Sequence, residues 1–121
     1  MTKIQNSKQY DLEKRTLEFA KKARYFAKKI PRTVSNIEDG KQFIRSSGSV
    51  GANYIEANES LSKKDFVMRI KICRKESKEC KYWLELIDIG HTREPFKERE
   101  HLIKEANELM LIFGSILRKS E

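Results

Sequence analysis

Between Phe66 and Ile87 the residues Phe66, Ile70, Cys73, Ser77, Cys80, Leu84 and Ile87 follow one another in steps of four and three. That alternation holds one narrow stripe of an α-helix pointing in a single direction, the spacing of a bundle seam. Three other segments carry apolar residues at helical spacing. The first covers residues 10–30, with Leu12, Thr16, Phe19, Ala23, Phe26 and Ile30 in register, and Pro31 ends it. The second covers 37–57 and has Ser35 and Asn36 as candidate caps. The third, 63–89, contains the seam; Ser62 and Asp65 are close to a capping-box pattern at its start, and Gly90 is the expected C′ residue. The fourth, 95–118, opens at Pro95 and places Leu102, Ala106, Leu109, Phe113 and Leu117 on one face.

Two prolines and five glycines in 121 residues leave few breaks, and those present separate the four segments by short connections. Short connections favour antiparallel neighbours. The expectation is an all-α, antiparallel up-down-up-down four-helix bundle occupying residues 1–121 as one domain. Neither an internal repeat nor a low-complexity segment interrupts it.

The stretch RSSGSVGANYIEANES, residues 45–60, resists this reading at first, because two glycines inside a helix cost about 1 kcal/mol each relative to alanine. Projection at 100° per residue nevertheless puts Phe43, Ile44, Ser47, Val50, Gly51, Tyr54 and Ile55 on one arc. Gln42, Arg45, Ser49, Asn53 and Glu56 form a polar stripe on the other. A helix this poor in bulk is expected where another helix, a second subunit or a ligand comes close, with Gly48, Gly51 and Ala52 as the small residues. The stripe then forms a structural network, holds a ligand or nucleic acid, or is solvated surface. A phosphate-binding loop is excluded, since no Lys-Ser or Lys-Thr follows the glycines.

The net charge of +8 is unevenly placed: residues 1–34 hold ten Lys and Arg against three Asp and Glu. On the first segment Lys14/Arg15, Lys21/Lys22 and Lys28/Lys29 are doublets repeating every seven residues. They could follow a phosphate backbone without reading sequence, or form a solvated face balanced by Asp11 and Glu18. The third segment has a basic side, Lys64, Lys71, Arg74, Lys75, Lys78 and Lys81, and beside its seam an apolar strip, Met68, Ile72, Trp83 and Leu86. One bundle helix needs one apolar stripe, so the second suggests a subunit interface. Glu76 and Glu79 fall within or beside that strip and need cationic partners such as Arg45 if they are desolvated.

Little supports catalysis. His91 and His101 are ten residues apart, without the spacing that puts two ligands on one metal, and neither a metal site nor a cofactor is expected. Cys73 and Cys80, seven apart on one helix, stand about 10.5 Å from each other, too far to bridge. No apolar run approaches the roughly 20 residues of a membrane span and no signal-peptide pattern is evident, so a cytoplasmic protein with no membrane partner is expected.

The run RSSGSVGANYIEANESLSKKDFVMRIKICRKESKECKYWLELI resembles the core of the bacterial 23S rRNA-intervening-sequence proteins. Their pattern is roughly R-x-x-x-S-(I/V)-x-x-N-x-x-E-(A/G), then K/D-F, then E-(A/S)-x-E-x-x-x-W-L. Pro31, Arg45, Ser49, Asn53, Glu56, Phe66, Glu76, Glu79 and Trp83 match it, while Gly48 and Ser77 stand where alanine is commoner. The resemblance implies a left-handed four-helix bundle that assembles as a ring-shaped homo-oligomer, commonly a pentamer. It also implies kinship with retroelement accessory proteins that bind nucleic acid and a reverse transcriptase. With the charge pattern it leads to a non-enzymatic homo-oligomer binding RNA or DNA through Lys14, Arg15, Lys21, Lys22, Lys28, Lys29, Lys71, Arg74, Lys75 and Lys78. The alternative is a protein-interaction scaffold that recruits a partner enzyme.

Overall fold

The computed structural model describes the backbone of residues 3–91 and 93–120 and the side chains of 11–91 and 93–120. Four helices account for nearly all of it: α1 (Lys3–Lys29), α2 (Val34–Asn58), α3 (Lys63–Leu86) and α4 (Arg93–Ser120). Among the described residues there is no strand. Each helix packs against two others, α1 against α2 and α4, and α3 against α2 and α4. Contacts between α2 and α3 run in reverse order along the two helices: Arg45 meets Glu76 and Glu79 while Asn53 meets Arg69.

The core takes one stripe from each helix. Phe19, Ala23 and Phe26 of α1 are buried, and the ring of Phe43 of α2 stands edge-on to both phenylalanines at 6.4 and 6.2 Å. Val50 and Tyr54 continue the stripe of α2, and Leu102, Ala106, Leu109, Phe113 and Leu117 supply that of α4. The seam of α3 is buried as its spacing predicts, with Ile70, Cys73, Ser77, Cys80 and Leu84 all shielded from solvent. Burying each large aliphatic or aromatic side chain contributes about 1.5–3 kcal/mol, so these stripes supply most of the driving force. Ile55, expected on the apolar arc of α2, is instead half exposed. It lies at the edge of that arc.

Helix ends depart from the sequence reading in instructive ways. Helix α1 begins at Lys3, seven residues before the expected start. The cap of α2 is Thr33, whose hydroxyl accepts the Asn36 amide N–H at 3.1 Å, and neither Ser35 nor Asn36 caps it. Asn36 is 2% exposed, and its side chain donates to the carbonyls of Pro31 (2.9 Å) and Asp88 (2.7 Å) and accepts from the Asp88 N–H (3.0 Å). Those bonds take the backbone of Asp88 out of the helical ladder, so α3 stops at Leu86 and not near Ile89. Gly90 is therefore not the C′ residue of α3. It sits in the following turn with φ +69°, where its N–H bonds the Asp88 carboxylate at 2.9 Å. Ser62 caps α3 as expected, accepting from Asp65 N–H at 3.1 Å. Pro95 lies in the first turn of α4, where no intrahelical N–H is required.

Candidate nucleic-acid interface and interhelical polar network

The six cations of the α1 doublets do not share one fate. Arg15 makes a bidentate pair with Glu105 of α4, both bonds 2.7 Å, and its Nη2 also lies 3.4 Å from Glu108. Lys29 donates to Glu98 at 2.6 Å and approaches Glu94 at 3.4 Å, and the Glu98 hydrogen bond raises its pKa above the ordinary lysine value. Both were candidates for phosphate contact, and both are already held by carboxylates that α4 presents along its α1-facing edge. Lys28 lies over the Tyr25 ring at 5.6 Å. Lys14, Lys21 and Lys22 are exposed and form no ion pair among the described residues. Between the two ionic clamps a groove of about 820 Å3 is lined by Lys14, Arg15, Lys22 and Lys104 but also by Asp11, Glu18, Glu98, Glu105 and Glu108. Such a balance of signs makes a poor site for a polyanion.

The basic side of α3 is different. Lys64, Lys71, Arg74, Lys75 and Lys78 are exposed and Lys81 is half-buried, and none of the six forms an ion pair among the described residues. They extend over about 26 Å of helix. Of the carboxylates of α3, Glu76 and Glu79 are taken by Arg45, while Asp65 lies in the first turn and Glu85 near the end of the helix.

That pairing forms the centre of the polar stripe. Arg45 donates from Nη1 to Glu76 at 2.9 Å and from Nη2 to Glu76 at 3.5 Å and Glu79 at 3.2 Å, while its Nε makes a long 3.5 Å contact to Gln42. Glu76 is buried, with 7% of its side chain exposed, whereas half of the Arg45 side chain meets solvent. Burial alone would push the Glu76 carboxyl up. Hydrogen bonds from Arg45 and Ser49 and the charges of Arg45 and Lys75 outweigh it, and the pKa is held below the usual range. Further along, Asn53 donates to the Ser49 carbonyl and hydroxyl, each at 2.9 Å, and accepts from Arg69 Nη1 at 2.9 Å. Arg69 was not anticipated, although it stands seven residues before Glu76 on the same edge of α3. Glu56 is the exception: its side chain is exposed and has no partner among the described residues, so the network ends at Asn53.

Of the small residues on α2, Gly51 is where another helix comes close. A Cβ placed there would lie 2.9 Å from Thr16 Oγ1 and 3.2 Å from Thr16 Cβ. At Gly48 the neighbour is the tip of Arg24, at 3.4 Å, and Ala52 is exposed.

The apolar strip on α3 is open in part. Met68 and Leu86 are each 48% exposed, Ile72 and Trp83 are half-buried, and Tyr82, itself exposed, stands edge-on to the Trp83 ring at 5.2 Å. The buried indole N–H of Trp83 has no acceptor among the described residues. Both cysteines are buried thiols: Cys80 meets Ser46 Oγ at 3.3 Å and Cys73 donates to the Val50 carbonyl at 3.4 Å. Burial pushes each pKa up to about 12, which suits core packing and not nucleophilic work. No group of three or more potential metal ligands occurs among the described residues, and no helix among them is long and apolar enough to cross a membrane.

Comparison with known proteins places these features. No curated protein matches the chain. A crystal structure of a protein of unknown function from the S23 ribosomal protein family of Bacteroides thetaiotaomicron VPI-5482 superposes with a TM-score of 0.76 at 29% identity, over 92% of this chain and 98% of that one. The family profile described as 23S rRNA-intervening sequence protein matches residues 8–114. That span takes in the stripe of α2, the whole of α3 and most of α4, and the chain belongs to the 23S rRNA-intervening sequence protein family.

Proposed function

We propose that this protein is a non-enzymatic, cytoplasmic nucleic-acid-binding bundle that engages the phosphate backbone of RNA or DNA through the outer side of α3. The observation that carries this reading is the set Lys64, Lys71, Arg74, Lys75, Lys78 and Lys81, six cations on one helix with no ion pair among the described residues. Cations already held by carboxylates gain little from a phosphate; free ones release the counterions of the polyanion and bind it without reading its bases. Lys21 and Lys28 of α1 are a secondary contact and Lys14 and Lys22, which share their groove with carboxylates, a weaker one, with Arg15 and Lys29 serving α4 instead.

In this proposal the bundle is up-down-up-down and left-handed, and copies associate as a ring, a pentamer in the expected form, through the strip of Met68, Ile72, Trp83 and Leu86. The half-exposed Met68 and Leu86 support that assembly, since apolar side chains on a second stripe gain from being covered. Repetition of one basic helix around a ring would raise avidity for a long polymer. The test is binding of a fluorescein-labelled oligoribonucleotide and a DNA duplex to protein freed of nucleic acid, across a salt series. Affinity should fall steeply with salt, and Lys71→Gln with Lys75→Gln and Lys78→Gln should weaken it more than Lys21→Gln with Lys28→Gln. Absence of binding at low salt, together with a co-purifying enzyme, would favour a recruiting scaffold.

A further inference from the structure

The furrow between α3 and α4 contains an arrangement that no motif marked. Gly114 is buried at its floor, and a Cβ built there would lie 3.6 Å from Arg118 Nη1 and 3.8 Å from Arg74 Cδ. Two arginines from opposite walls thus lie across one bare stretch of helix backbone. Neither forms a hydrogen bond or ion pair among the described residues. From Met110 to Ser120 α4 has no acidic residue, and Glu108, the nearest one before it, is turned to Arg15 on the opposite side. Lys71 and Lys78, three residues before and four after Arg74, flank the pair on α3 and are exposed.

Arg118 puts its guanidinium, and Arg74 the stem that carries its own, over one glycine, so an anion held there would face both charges. The guanidinium matches a phosphate in shape as well as charge, offering paired donors in a fixed fork. The glycine completes the arrangement: without a Cβ, the stem of Arg74 rests against α4, so its head is positioned before a ligand arrives. We propose that Arg74 and Arg118, laid over Gly114, form a clamp for one backbone phosphate of a bound nucleic acid, with Lys71 and Lys78 holding the phosphates on either side. The clamp rests on the nucleic-acid reading above and adds to it a definite place and a residue, Arg118, outside the basic side of α3.

The experiment measures binding of a fluorescein-labelled oligouridylate to the full chain over a salt series for wild type, Arg74→Gln, Arg118→Gln, Arg118→Lys and Lys119→Gln. Lys119 is an exposed cation adjacent in sequence, so its variant removes the same charge without touching the furrow. Arg118→Gln and Arg74→Gln should each weaken binding about tenfold and reduce the salt slope by about one, and Lys119→Gln should have a several-fold smaller effect. Arg118→Lys should not restore affinity, because a point charge lacks the fork. Equal effects of Arg118→Gln and Lys119→Gln, with wild type binding normally, would overturn the clamp and leave the nucleic-acid reading standing. A wild type that binds no oligonucleotide at low salt would overturn both. Tripolyphosphate bound as tightly as the oligouridylate, with the same variant profile, would reassign the clamp to a free polyphosphate.

Discussion

Removing Arg45 should destabilise the bundle, and the size of the effect should depend on pH. Arg45→Ala leaves Glu76 buried, with Ser49 still donating but the guanidinium gone. A fully buried pair broken in this way costs about 3–5 kcal/mol. Here half of the Arg45 side chain is in water, so the pair is partly screened and the survivor partly hydrated, and about 1.5–3 kcal/mol is expected at neutral pH. For a chain of this size that corresponds to a fall in Tm of roughly 5–10 °C. The pH dependence follows from the carboxyl. In the wild type its depressed pKa contributes stability above the unfolded value, about 4.3, which is lost as pH falls through the folded value. In the variant burial dominates and raises the pKa, so the charged form is penalised at pH 7, and that penalty is relieved as pH falls through the raised value toward about 4.3. The gap in Tm between wild type and variant, measured by circular dichroism, should therefore narrow from pH 7 to pH 4, and Glu76→Gln added to Arg45→Ala should recover much of the loss. A gap independent of pH, or one below about 0.5 kcal/mol, would refute the assignment of Arg45 as the group that keeps Glu76 ionised.

Other substitutions separate close approach from mere smallness. Gly51→Ala should lower Tm despite its better helix propensity, since its Cβ would press on Thr16, whereas Gly48→Ala meets only the far end of the long Arg24 side chain and should raise stability by up to about 1 kcal/mol; chemical denaturation of both would show the opposite signs. Asn36→Ala strands the Asp88 N–H and two carbonyls and should cost about 2–3 kcal/mol in the same assay. Cys73 and Cys80, with pKa values pushed up to about 12 by burial, should react negligibly with a disulfide reagent at pH 8 and fully in denaturant, which absorbance of the released thiolate would record.

The seam of α3 was legible because a strict four-three rhythm has one efficient solution, a helix with one buried edge. The start of α2 was not, because Thr33, Ser35 and Asn36 are all good caps in sequence and only the position of Asp88, 52 residues beyond Asn36, assigns Asn36 to another task. The same limit hid the fate of Arg15 and Lys29, whose hydrogen-bond partners on α4 are at least 65 residues away. A doublet of basic residues looks alike whether it faces solvent or a row of glutamates. Arg45 with Glu76 could be anticipated, since a carboxylate on an apolar strip requires a partner. Gly114 gave no local signal at all: one glycine in an apolar helix reads as a packing concession until the arginines above it are seen.

The three bonds of Asn36 bind the α1–α2 connection to the α3–α4 connection, so one pole of the bundle is knotted together, while among the described residues the turn after Asn58 at the other pole has no such latch and leaves Leu61 99% exposed. The molecule should therefore open like a book from its free edge. Amides near the α2–α3 turn should exchange with deuterium well before those at the latched pole, and a peptide inserted after Leu61 should be carried without disturbing the order in which the rest unzips.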